Sequence, residues 1–155
     1  MNLFTGVETN DLFGGEVSPT IAHLVEQARG GSRDEAAALL WTACAMAPQS
    51  LPVYYLLYKL HAGLGQLDRA EQAALKGLDA AARAAGLNAD WRQVQPGDSE
   101  FASPGPARFW LFTLKALAFI QLRRGQRDAA QRALVQALGL SFTVSTLALA
   151  AGGGL

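Results

Sequence analysis

The chain has 155 residues, half of them hydrophobic, with 13 Lys and Arg against 13 Asp and Glu. That length suits one domain with a real core, and the balanced charge argues against a protein that tracks a phosphate backbone. One cysteine, Cys44, excludes an intrachain disulfide.

Residues 1–17 read as a flexible acidic arm, rich in Gly, Asn, Thr and acids. No Lys or Arg precedes Arg29, while Glu8, Asp11, Glu16 and Glu26 do. The arm repeats an Asn/Asp-Leu-Phe-x-Gly pattern, at Asn2-Leu3-Phe4-Thr5-Gly6 and at Asp11-Leu12-Phe13-Gly14-Gly15. It has no positively charged start and no long apolar run, so it does not read as a signal peptide. Elsewhere the longest apolar stretches fall short of the roughly 20 residues that span a bilayer. A cytoplasmic location is therefore expected.

Ser18-Pro19 reads as an N-cap followed by proline at the first helical position. A first helix is expected to run to about Arg29 and stop at Gly30-Gly31. Ser32 and Glu35 form a capping-box pattern. The helix they open carries Ala36, Leu39, Leu40, Ala43 and Ala47 at helical spacing, and Pro48 ends it. Ser50 is expected to cap a third helix that stops at Gly65. Asp68 is expected to cap a fourth that ends at Gly86. Residues 87–106, with Pro96, Pro104, Pro106, Trp91 and Phe101, read as a long inserted loop pinned by its aromatics. A fifth helix is expected over 107–124 and a sixth over 127–138. Gly139 should divide the sixth from a last apolar helix, 140–150, and residues 152–155 form a Gly-rich tail.

Gly31 is followed by Ala36, Gly65 by Ala70, and Gly125 by Ala130, always five residues on. Gly31 and Gly65 lie 34 residues apart, and Gly125 lies one further such period plus 26 residues beyond Gly65. A fixed period of this size marks a stacked array of helical hairpins. The small residues Ala36, Ala43, Ala70, Gly77, Ala130 and Ala137 fit close helix crossings. The turn glycines fit helix ends that need a positive φ.

These residues resemble the tetratricopeptide repeat. The second repeat matches at Tyr54, Leu57, Gly65, Ala70 and Leu78. The third matches at Leu117, Ala118, Gly125, Ala130, Leu134, Ala137 and Leu138, and the first at Gly31, Ala36, Leu40, Ala43 and Pro48. Thr20, His23, Tyr58, Ala74, Ala82 and Phe142 depart from the pattern. The resemblance implies an all-α domain over 18–151: a right-handed superhelix of about three αα-hairpins plus a C-terminal helix. It also implies a concave groove lined by the first helix of each pair. The family's ligand-facing positions fall on Ile21, Val25, Ala28 and Arg29, then on Tyr55, Lys59 and Ala62, and last on Phe112, Lys115, Phe119, Leu122 and Arg123. That face is aromatic and basic, and it fits a peptide or partner helix with apolar anchors and acidic flanks. The other reading of Phe112 and Phe119 is core, buried under the final helix. The clamp that some of these proteins use for a chaperone's acidic C-terminus is missing, because its places hold Ile21, Val25, Leu56, Phe112 and Ala116.

His23, His61 and Cys44 stand apart without metal-ligand spacing, and no nucleophile–base set can be assembled from them. No enzyme activity, metal or cofactor is expected, and no nucleic acid or membrane partner. The expected role is protein–protein interaction, as an adaptor or assembly chaperone with a protein or peptide partner. The alternatives are a secretion-type chaperone, or a structural module that only self-associates. Phe142, Val144, Leu147 and Leu149 are spread around the last apolar segment. They are expected to bury against a second copy or another chain, giving a homodimer or heteromer. Leu3, Phe4, Leu12 and Phe13 of the arm are candidate anchors for an aromatic groove.

Overall fold

The fold is that of a computed structural model, which describes residues 17–152, with backbone alone for 142–152. All regular structure among these residues is helical: α1 Pro19–Gly30, α2 Arg33–Met46, α3 Leu51–Gly63, α4 Leu67–Ala85, α5 Pro106–Arg123 and α6 Arg127–Gly152. Two short 3-10 turns, Trp91–Gln93 and Pro96–Asp98, interrupt the connection from α4 to α5. Each helix packs on the next in sequence, and α3 also touches α5. No helix among the described residues is long and apolar enough to cross a membrane. The arm, with Leu3, Phe4, Leu12 and Phe13, lies outside the described residues. So do the side chains of Phe142, Val144, Leu147 and Leu149.

Local sequence explains the helix starts. The Ser18 hydroxyl accepts from the Ile21 amide at 3.4 Å and the Ser32 hydroxyl from the Glu35 amide at 3.2 Å. Each satisfies one of the orphan donors of a first turn. Ser50 occupies the cap of α3, but its buried hydroxyl makes no capping bond. The expected cap of α4 is displaced: Gln66 holds that place and Asp68 lies in the first turn, where its charge favours the helix N-terminus.

The turns of the second and third hairpins repeat bond for bond. Gly65 and Gly125 take φ of 75° and 79°. Their amides donate to the carbonyls of Ala62 and Leu122, and the Gln66 and Gln126 amides donate to His61 and Gln121. This is the left-handed helix ending that glycine adopts without a Cβ penalty. The first hairpin departs from expectation. Gly31 has φ of −97°, an extended conformation open to any residue, and the turn there is made by the Ser32 cap.

Alanine and glycine set the helix spacing. Ala36, Ala43, Ala70, Ala130 and Ala137 are all at most 5% exposed, and Gly77 is buried. A Cβ on Gly77 would lie 2.8 Å from the Cβ of Tyr54 and 3.5 Å from Phe109 Cε1. No flexible side-chain end is there to yield, so α4 approaches α3 closely only because this residue is glycine. Around these contacts lies a core that includes Leu40, Leu57, Leu60, Phe109, Trp110, Leu114 and Leu117.

One sequence expectation changes at the C-terminal end. The separate last helix is absent, because α6 runs unbroken through Gly139. An exposed glycine inside a helix costs about 1 kcal/mol and does not by itself end it. The 87–106 connection is held as expected. Phe101 is buried against the Trp110 ring at 5.8 Å, Val94 is buried, and Gln136 Nε2 on α6 donates to the carbonyls of Trp91 and Val94. Val135 and Leu138 on α6 remain exposed.

Burial decides the chemistry of two side chains. It pushes the Cys44 thiol from an ordinary 9.0 up to about 12, against the opposing pull of Lys76. It pushes the Tyr54 phenol from 10.0 up to about 12, aided by Cys44 and Asp79 and opposed by Arg83. Each group binds its proton more tightly folded than unfolded, so their stabilisation is complete below pH 9 and is lost as pH rises towards 12. The urea midpoint is expected to hold up to pH 9 and fall by pH 11. Because the thiolate is the reactive form, Cys44 is expected to resist a thiol reagent at pH 8 until urea unfolds the chain. Fast labelling of the folded chain would contradict this burial.

Candidate functional site

The groove between α3 and α5 follows from the spacing of each helix. On α5, Phe112, Ala116, Phe119 and Arg123 recur at i, i+4, i+7 and i+11, which is one face. On α3, Tyr55, Lys59, Ala62 and Gly63 face them. Together with Tyr58, Ile120 and Arg33 of α2, they line an open hollow of about 830 Å³. Phe112 is 43% and Phe119 57% exposed, so neither is core and the buried reading of these two residues is overturned.

The aromatic floor is continuous. Tyr55 meets Tyr58 edge-on at 5.6 Å and Phe112 at 5.8 Å, within the range of favourable ring pairs. Tyr58 is anchored below by a shared hydrogen bond with Thr113 at 3.4 Å, and burial raises its phenol well above the ordinary range. The cations rim this floor. Lys59 Nζ donates to the Tyr55 hydroxyl at 3.1 Å and lies 5.3 Å from the Tyr55 ring centroid. Arg123 donates to the Ala62 carbonyl at 3.3 Å, which fixes the guanidinium across the end of α3. Arg33 closes the hollow from the start of α2. No Asp or Glu lines it.

The structure thus gathers Tyr55, Lys59, Ala62, Phe112, Phe119 and Arg123 and leaves out the other positions assigned to this face. Ile21 and Ala28 are buried in the core, Val25 is half-buried against it, and Arg29 pairs with Glu26 at 3.2 Å. None of these α1 residues lines the hollow, and the first hairpin reaches it through Arg33 of α2. Lys115 and Leu122 of α5 are also outside it, rotated off the stripe that Phe112 and Phe119 define. Arg33 is the lining residue that sequence reasoning missed. It begins the second helix of its pair, where the repeat pattern places no ligand contact.

His61 is fully buried. Its Nε2 accepts from the Trp41 indole at 3.0 Å, so the ring proton sits on Nδ1 and bonds Gln66 Oε1 at 2.8 Å. The adjacent arginines at the end of α5 divide: Arg124 pairs with Glu71 of α4, whereas Arg123 faces the groove. Among the described residues, no three His, Cys, Asp or Glu side chains gather as a metal site. No protein-family model, curated protein or solved structure matches the chain.

Proposed function

We propose that this protein is a binding scaffold of stacked, tetratricopeptide-like hairpins, whose α3–α5 groove holds a peptide or helix with aromatic anchors and acidic flanks. The observation that carries this reading is the pairing of exposed Phe112 and Phe119 with Arg33, Lys59 and Arg123 in one hollow that no carboxylate lines. Exposed aromatic surface of this kind marks contact sites. Cations at its rim select partners by charge, because a like-charged ligand is repelled while an acidic one is steered in. The matching turns at Gly65 and Gly125 support the stacked-hairpin part of the reading. An adaptor or assembly chaperone acts through a groove of this kind, in keeping with a protein partner and no nucleic acid.

A fluorescein-labelled peptide alternating Glu with Leu-Phe pairs tests this by anisotropy. It is expected to bind, and to weaken as salt screens the rim charges. A version with Lys for every Glu is expected not to bind. Equal binding of both versions would leave the groove without charge selection and remove the reading.

A further inference from the structure

The rim cations and the arm are complementary in charge and in chemistry. Arg33, Lys59 and Arg123 border an aromatic floor without an acid. Residues 1–16 carry Glu8, Asp11 and Glu16, no Lys or Arg, and two Leu-Phe pairs. We propose that the arm is the groove's own ligand, docking within the same molecule and competing with any foreign peptide. This inference rests on the groove reading above and adds the identity of the occupant.

Reach and concentration both favour it. The described chain begins at Val17, immediately before α1. Sixteen extended residues span about 50 Å, whereas α1, which separates Val17 from Arg33 of the groove, is about 18 Å long. The two Leu-Phe pairs lie nine residues apart, so they offer the floor anchors at two different tether lengths. A short tether gives an effective concentration in the millimolar range. A foreign acidic peptide at micromolar concentration meets that competitor first. An arm bound nine-tenths of the time lowers a competitor's apparent affinity about tenfold. Leu-Phe supplies the anchor for Tyr55, Phe112 and Phe119, and Asp11 beside the second pair supplies a carboxylate for the rim.

The test uses two full-length chains, wild type and an arm variant with Leu3→Ser, Phe4→Ser, Leu12→Ser and Phe13→Ser. The probe is a fluorescein-labelled synthetic peptide of residues 1–16, with the Glu/Leu-Phe peptide as a second probe. The arm variant is expected to bind both probes about tenfold more tightly than wild type, with the two chains of equal mass by light scattering. Equal affinities in the two chains would overturn the inference and leave the groove reading standing. Binding of the Glu/Leu-Phe peptide without binding of the arm peptide would do the same. Failure of both probes on both chains would remove the groove reading and the inference with it. A wild-type dimer that becomes a monomer in the arm variant would show docking between molecules and overturn the intramolecular arrangement.

Discussion

Replacing Phe109 with alanine is expected to lower the stability of the folded chain by about 3–5 kcal/mol. Its ring is fully buried, and Cε1 reaches to 3.5 Å from where a Cβ would sit on Gly77, so it fills the crossing of α4 with α5. The glycine cannot close the gap, because the approach of α4 is already limited by Tyr54. Typical domains are stable by about 5–15 kcal/mol, so this one substitution removes a large share of the total. Phe119, ten residues further along α5, is 57% exposed. Its alanine variant is expected to stay within about 0.5 kcal/mol of wild type. Urea unfolding of both variants checks the contrast. Similar losses at the two positions would contradict the division between core and groove.

The second large effect is on binding. Lys59→Glu with Arg123→Glu is expected to weaken the acidic peptide on the order of 100-fold, at about 1.4 kcal/mol for each reversed site. Both side chains lie at the rim, where Lys59 bonds the Tyr55 hydroxyl and faces its ring and Arg123 bonds the Ala62 carbonyl. Helicity and melting temperature are therefore expected to change little.

Much of this arrangement was legible in the sequence because it depends on local chemistry. Proline and serine placed the helix starts at Pro19 and Arg33, and Gly65 and Gly125 placed two turns by their positive φ. The buried alanines followed from their helical spacing. The failures have physical causes. Gly31 matched the repeat period but needed no left-handed backbone, since the Ser32 cap supplies that turn. Gly139 was read as a break, yet one exposed glycine is a modest cost to a helix of 26 residues.

The candidate site was legible wherever one helix face decided it, as with Phe112, Phe119 and Arg123. It was not legible where the relation between helices decided it. Lys115 shares a helix with Phe112 but lies off its stripe. Arg33 enters from α2 through a packing relation that no spacing within one helix encodes. The α1 positions failed for the same reason, since Ile21 and Ala28 turn into the core.

The claim that the α3–α5 groove selects acidic, aromatic ligands is tested most directly by one anisotropy experiment. The Glu/Leu-Phe and Lys/Leu-Phe peptides are titrated onto wild type and onto the Lys59→Glu/Arg123→Glu chain, both confirmed folded by circular dichroism. A crossed preference is predicted: wild type takes the acidic peptide, and the reversed chain takes the basic one. Retention of the acidic peptide by the reversed chain would contradict the account.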